Sequence, residues 1–237
     1  MKKKILIAIP AYNEEFNIVK TIDDVASSGV EADILVINDG SQDQTAKAAV
    51  AKGVLVVSLP YNLGIGGAVQ TGFCYAFRNQ YDIVVQVDGD YQHDAAYLKD
   101  LLAPVHNDEA DMTIGSRFLP PFLGYQSSFF RRIGINFFAT LISVLTGQTV
   151  TDPTSGFRAF NRKLIKVFAR YYPHDFPEPE AIMEAKRYQA RIKEVPVQMR
   201  ERLSGHSSIR YFKTLYYMFK VTLAILLAKL KQRKDLV

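Results

Sequence analysis

The stretch Asp82-Ile83-Val84-Val85-Gln86-Val87-Asp88-Gly89-Asp90-Tyr91-Gln92-His93 decides the fold of this chain. Its first six residues form an apolar run rich in β-branched side chains, which reads as a buried strand. Open α/β sheets bind ligands at the carboxyl ends of their strands, so Asp88 and Asp90 would stand where a ligand sits. Alternation along extended backbone sends both carboxylates the same way, and Gly89 between them lets another group approach closely. Two hard oxygen ligands with open positions suit Mg²⁺ or Mn²⁺ holding a diphosphate. Taken alone, these residues also describe a solvated turn after a strand, since Asp and Gly are common turn formers. The neighbouring motifs weigh against that.

Outward from this strand, residues 4–10, 33–38, 54–59 and 111–115 read as further strands. Residues 14–27, 41–52, 67–79 and 95–106 read as helices, with Ser41 as the N-cap of the second. Such alternation argues for a mostly parallel sheet with helices on both faces. The second half breaks the rhythm. It holds a Pro- and Phe-rich loop (118–130), an apolar helix (133–145), a strand (192–199) and a long basic helix (211–230).

Each strand end in the first half carries a polar signal. Pro10, Tyr12, Asn13 and Glu14 follow the first; Asp39, Gly40 and Ser41 follow the second; Asn62, Gly64, Gly66 and Gly67 follow the third. In a parallel sheet these ends share an edge with Asp88 and Asp90, so their groups converge on one cleft. The glycine-rich turn, Gly66 included, suits an anion or the face of a nucleotide that meets backbone. It lacks the spacing of a dinucleotide fingerprint and the Gly-Lys-Ser/Thr of a P-loop, so both of those readings fail.

Composition permits one globular domain with an appendage: 237 residues, 48% apolar and 22% charged. A single cysteine, Cys74, excludes an internal disulfide framework and fits a reducing compartment. The basic start Met1-Lys2-Lys3-Lys4 precedes an apolar run too short for a signal-peptide core, and no signal peptide is read. The net charge of +5 owes much to the C-terminal region, and such a basic excess fits nucleic acid or an anionic membrane surface. Nucleic acid is not expected, because the basic residues interleave with apolar bulk. Four scattered histidines give no zinc pattern.

Seven ordered motifs carry a resemblance. They are Ala11-Tyr12-Asn13-Glu14, Asn38-Asp39-Gly40-Ser41, Asn62-x-Gly64-x-Gly66-Gly67-Ala68, Asp88-x-Asp90-x-Gln92-His93, Gly115-Ser116-Arg117, Asp152-x-x-Ser155-Gly156-Phe157-Arg158 and Arg202-x-x-Gly205-x-Ser207. Together they resemble family 2 glycosyltransferases of GT-A fold, on the dolichyl- or polyprenyl-phosphate branch, over residues 4–208. The resemblance implies transfer of a sugar from a nucleotide-diphosphate sugar to a polyprenyl phosphate with inversion at the anomeric carbon. It implies that Pro10, Tyr12, Glu14 and Asp39 hold the base and ribose, and that Asp88, Asp90 and Gln92 address the metal and the donor diphosphate.

Arg117, Arg131 and Arg202 are candidates for the donor diphosphate and the lipid phosphate, because a guanidinium grips phosphate oxygens through a planar fork and stays charged. A phosphomonoester has a second pKa of roughly 6, so the acceptor is largely ionised at neutral pH and can do without a general base. Asp152 is the candidate for orienting it or sharing its residual proton; a turn residue before Pro153 is the plainer alternative. Glu178 and Glu180 read as sugar-hydroxyl contacts or as a polar loop.

Two segments speak to the acceptor. The loop from Phe118 to Phe130 is unusually apolar, and Asn136, Thr140 and Ser143 form a polar stripe on an apolar helix. In the C-terminal helix, Lys213, Lys220 and Lys229 punctuate the apolar sequence, so a spanning helix, which wants about 20 mostly apolar residues, is not read. Its aromatic and basic residues fit an interfacial helix. The expected organisation is a GT-A domain over 1–208 and a membrane-surface or oligomerisation helix over 209–237, with a membrane-protein partner or homo-oligomer as the other means of membrane residence. The expected protein is a peripheral enzyme at the cytoplasmic face, bacterial by its length and lysine-rich ends. UDP-glucose or UDP-N-acetylglucosamine is favoured as donor, mannose from GDP next, for cell-envelope glycan assembly on undecaprenyl phosphate. The alternatives are transfer to a saccharide hydroxyl and a non-catalytic nucleotide-sugar-binding subunit.

Overall fold

The computed structural model describes residues 2–120, 129–201 and 211–230. In chain order the elements are β1 (Ile5–Ala11), α1 (Ile18–Ser27), β2 (Asp33–Asn38), α2 (Thr45–Ala51), β3 (Leu55–Ser58), α3 (Gly64–Arg78), β4 (Ile83–Gln86), α4 (Leu98–His106), β5 (Met112–Ser116), α5 (Phe129–Thr146), β6 (Arg158–Asn161), α6 (Arg162–Arg170), α7 (Pro177–Arg187), β7 (Ile192–Pro196) and α8 (Tyr211–Leu230). The strands form one seven-stranded sheet in the order β3-β2-β1-β4-β6-β5-β7. β1 pairs in parallel with β2 and β4, and β3 with β2. β6 runs antiparallel between β4 and β5, and β7 joins β5 in parallel.

Strand alternation explains why both faces are covered. Leu6, Ala8, Leu35, Ile37 and Val84 enter one apolar cluster, with α3, α5, α6, α7 and α8. Ile7, Ile9, Val36, Ile83 and Val85 enter the other, with α1, α2 and α4. Phe73 of α3 anchors the first cluster, its ring 5.0 Å from Phe160, 5.2 Å from Phe168 and 5.3 Å from Tyr172. Truncation of such an aromatic to alanine costs about 3–5 kcal/mol.

The expected first-half rhythm is present, with shifted ends. The helix expected over 41–52 begins at Thr45, because the residues before it are spent on loop ties. Ser41 Oγ accepts the Asn13 N–H at 3.0 Å and Asp43 Oδ1 accepts the Thr45 N–H at 2.9 Å, so Ser41 caps no helix. The helix expected from 14 begins at Ile18, and the one expected from 67 begins at Gly64. The strand expected over 192–199 ends at Pro196; Met199 makes an isolated bridge with His93. β6, α6 and α7 were not read from the sequence. β6 has four residues, and Asn161 ends it by accepting the Leu164 N–H at 3.2 Å as N-cap of α6.

Candidate active site

The carboxyl ends of β1, β2 and β4 open on a cleft of about 500 Å³ lined by Pro10, Tyr12, Glu14, Asp39, Asn62, Gly64, Ile65, Ala68, Asp88 and Asp90. The loop after β1 is laced to the one after β2. Asn13, at φ +54°, accepts the Gln42 N–H at 2.9 Å, and the Glu14 N–H donates to Thr45 Oγ1 at 2.7 Å. Asn tolerates that left-handed conformation better than most residues. Buried Asp39 accepts the Leu63 N–H at 2.7 Å, so β2 sets the entry to α3.

Asp88 follows β4. Its N–H donates to His93 Nδ1 at 3.0 Å, and His93 Nε2 lies 3.6 Å from Asp88 Oδ2. The buried His93 ring stacks on Phe157 at 4.8 Å, so an apolar wall aims the imidazole at the carboxylate. Gly89 lies against β1: a Cβ there would meet Pro10 O at 3.0 Å. Asp90 Oδ1 accepts the Gln92 N–H at 3.1 Å, and the Gln92 side-chain amide turns away to Arg200 O at 3.5 Å.

The chemistry of this donor set fits a hard divalent cation. Among the described residues no group of three or more His, Cys, Asp or Glu gathers as a ligand cluster. Mg²⁺ usually needs only one or two carboxylates beside substrate oxygens. Gly156 leaves open the space beside Asp88, where a Cβ would come within 2.9 Å and 3.0 Å of the two carboxylate oxygens. Gln86 Oε1, buried in the same region, has no hydrogen-bond partner among the described residues.

Arg117 and Asp152 meet each other. Arg117 Nε and Nη2 donate to the two Asp152 oxygens, each at 2.7 Å, and Nη2 also reaches Thr154 Oγ1 at 2.8 Å. Asp152 is 0% exposed. Burial pushes the Arg117 guanidinium down, but Asp152 outweighs it and Asp88 adds to the upward pull, so all three share one field. Glu194 of β7 accepts the N–H groups of Thr151 at 2.8 Å and Asp152 at 2.9 Å, and builds the turn that carries the pair.

Fully buried Arg158 donates to Ser155 O at 2.6 Å, Glu178 O at 2.7 Å and Pro153 O at 3.0 Å, tying this turn to the start of α7. Burial pushes the Glu178 carboxyl up; Arg158 opposes this and Asp88 adds to it. Arg158, Glu194 and Arg200 received no role from the sequence. Arg158 stood in a motif, but nothing there tells a buried cation from a solvated one.

Gly66 lies off the cleft lining. A Cβ there would come within 2.5 Å of Pro173 O, so it serves the packing of α3 on the 173–174 loop, while Gly64 reaches the cleft. Arg202 and its motif lie outside the described residues, as do residues 121–128 of the apolar loop and the side chain of Arg131 in α5.

An open, doubly covered sheet with its groups gathered at the strand ends is the architecture of a GT-A nucleotide-sugar transferase. The chain belongs to glycosyl transferase family 2, whose model matches residues 6–168. It is 29% identical over 214 residues to a UDP-N-acetylglucosamine–dolichyl-phosphate N-acetylglucosaminyltransferase of Methanococcus voltae, covering 82% of this chain and 85% of the relative. It is 29% identical over 218 residues to an undecaprenyl-phosphate mannosyltransferase of Micrococcus luteus, covering 87% of each. The fold matches glucosyl-3-phosphoglycerate synthase of Mycobacterium tuberculosis, solved with Mn²⁺ and UDP-glucose, with a TM-score of 0.72 at 21% identity, over 98% of this chain and 81% of that one. These relatives put the chain on the polyprenyl-phosphate branch of the family.

Proposed function

We propose that this protein transfers a glycosyl group from a nucleotide-diphosphate sugar to a polyprenyl phosphate, with inversion, at the cytoplasmic face of a membrane. The observation that carries the reading is the pair Asp88 and Asp90 in one cleft with Tyr12, Glu14 and Asp39. The acceptor is supported by relatives of nearly the same length whose names specify dolichyl and undecaprenyl phosphate. UDP-glucose or UDP-N-acetylglucosamine is the proposed donor, undecaprenyl phosphate the proposed acceptor, and cell-envelope glycan assembly the proposed use.

In this reading Tyr12 offers its ring to the base, and Pro10, Glu14 and Asp39 wall the nucleoside. Asp88 and Asp90 hold Mg²⁺ or Mn²⁺ against the diphosphate, with Gln92 behind them shaping the turn. The bound cation neutralises charge that develops on the leaving nucleoside diphosphate. An acceptor phosphate oxygen forms the new bond to the anomeric carbon. The bond to the diphosphate oxygen breaks and its electron pair leaves with the nucleotide. Asp152, sealed from solvent and bonded through both oxygens, aims Arg117 at the phosphates rather than taking a proton. Arg202 is assigned to the phosphates on motif position, and Arg131 only as a further guanidinium able to grip phosphate oxygens.

Among the described residues no helix is long and apolar enough to cross a membrane. α8 buries Val221, Ile225 and Ala228 on the body and leaves Phe219, Leu223, Leu227 and Leu230 exposed, beside exposed Ile133 and Phe137 of α5. Those outer faces and the exposed Lys220 and Lys229 support a peripheral seat on anionic lipid. A homo-oligomer or a membrane-protein partner is the competing use of the same faces.

The test is incubation with a panel of UDP- and GDP-sugars and undecaprenyl phosphate, read by mass. A monoglycosyl phospholipid from one donor is expected. Transfer only to a soluble saccharide would replace the acceptor, and donor binding without turnover would indicate a binding subunit.

A further inference from the structure

Tyr91, between Asp90 and Gln92, sits at φ +65°, a left-handed conformation that disfavours a residue with a bulky side chain. Something must hold it there. The Arg200 guanidinium lies over the Tyr91 ring, 4.4 Å from its centroid. Arg200 Nη1 donates to Asp24 Oδ2 at 2.7 Å and to His93 O at 3.3 Å; Nη2 donates to Asp94 Oδ1 at 2.8 Å and Asp24 Oδ1 at 3.2 Å. Its backbone N–H donates to Gln92 O at 2.8 Å, and Asp24 Oδ2 also accepts the Ala95 N–H at 3.0 Å. Arg200 and Asp24 between them therefore touch every residue from Tyr91 to Ala95. The first sits in the segment leading to Arg202, the second on α1.

We propose that Arg200, braced by Asp24 and Asp94, is a positioning residue for the donor site: it clamps the Tyr91 turn so that Asp88 and Asp90 present their carboxylates together to a divalent cation and the donor diphosphate. The proposal rests on the reading of Asp88 and Asp90 given above. It also makes the metal loop and the Met199-Arg200 segment one mechanical unit, joined by the His93–Met199 bridge and the Arg200 N–H to Gln92 O bond. An ordinary surface ion pair would not need a planar cation over an aromatic ring at the single strained residue of the loop. Removal of the ring face forfeits the clamp but keeps the strain, whereas glycine at 91 removes the strain and makes the clamp dispensable.

The experiment measures Mn²⁺ affinity in the presence of UDP by calorimetry on the full chain, together with the donor KM. Tyr91→Leu keeps a bulky residue in the left-handed turn without a ring, and Mn²⁺ should bind about tenfold more weakly, the scale of a partly desolvated cation–π contact. Tyr91→Gly should stay within about threefold of wild type, because glycine adopts the turn unaided. Arg200→Ala should match Tyr91→Leu, and should do far less in the Tyr91→Gly background. Arg200→Lys should recover little, since a point charge cannot span both carboxylates and the ring. Should Arg200→Ala not fold, the leucine–glycine contrast at 91 still decides. Wild-type Mn²⁺ affinity in Tyr91→Leu and Arg200→Ala would overturn the clamp alone; no Mn²⁺ binding by the wild type would overturn the reading of Asp88 and Asp90 and the clamp with it.

Discussion

Replacing Gly156 with alanine adds one methyl group directly beside Asp88. It would lie 2.9 Å and 3.0 Å from the Asp88 oxygens and 3.1 Å from Gln86 Nε2, where ordinary contact begins at 3.4 Å. The worst overlap is thus about 0.5 Å, the difference between 3.4 and 2.9 Å. Gly156 is not among the positive-φ glycines, so alanine meets no backbone strain there, and such a change stabilises a fold by about 0.4–1 kcal/mol when it fits. The two side chains must therefore move. Functional groups tolerate displacements of about 0.5 Å, and 1 Å of misplacement costs about a hundredfold. The expected result is a fall in kcat/KM of about 10- to 100-fold, or about 1.4–2.7 kcal/mol of transition-state stabilisation. Mn²⁺ affinity should weaken in parallel, while urea-unfolding stability stays within about 1 kcal/mol of wild type. Wild-type kcat/KM and Mn²⁺ affinity would refute the placement of Asp88 in the donor site. A stability loss beyond about 2 kcal/mol would show that the fold, not the carboxylate, absorbs the overlap.

Asp90→Asn should abolish transfer with the melting temperature unchanged, and excess EDTA should do the same to wild type; full activity in either case removes the metal assignment. Arg117→Met strands Asp152 as a buried, unpaired charge and should cost about 3–5 kcal/mol in urea unfolding, with Arg117→Met/Asp152→Leu regaining much of it. A single-variant cost below about 1 kcal/mol would mean that the pair does not hold the turn. Burial pushes Asp111 up, but the Arg191 N–H, the Arg191 guanidinium, Lys163 and Asn161 outweigh it and hold the carboxyl low. Its stabilisation is therefore present above the unfolded carboxylate pKa of about 3.9 and lost as pH falls through the lower folded value. The stability gap between wild type and Asp111→Asn should be full at neutral pH and shrink in acid; a gap that does not change with pH contradicts this. Co-sedimentation with anionic vesicles should decline at high salt and weaken further in Lys220→Glu. Salt-independent sedimentation would indicate insertion, and no binding at all would favour an oligomer.

Much of the site was legible because it is local. The alternation that hides Ile83, Val84 and Val85 also places Asp88 and Asp90, and strand ends gather on one edge of any parallel sheet. Pro10, Tyr12, Glu14 and Asp39 follow from that rule and do line the cleft. The second half was less legible. β6, Arg158–Asn161, begins on a charged residue and ends on a polar one, with no β-branched apolar run between them, so the antiparallel strand inside the sheet left no pattern to read. Gly66 and Gly64 look alike in a glycine-rich run; only the approach of Pro173 separates the packing glycine from the cleft glycine.

The sequence by itself determined the fold class, the edge on which the cleft opens and the carboxylates that face it, because periods of two and 3.6 residues and the chemistry of strand ends are local properties. Tertiary structure alone decided which charges meet. Arg117 finds Asp152 across 35 residues, Glu194 supports that turn across 42, and Arg200 reaches Asp24 across 176. No spacing encodes such pairs. They exist because the sheet order brings distant segments together, and because a charge taken out of water must find its partner wherever the chain delivers one.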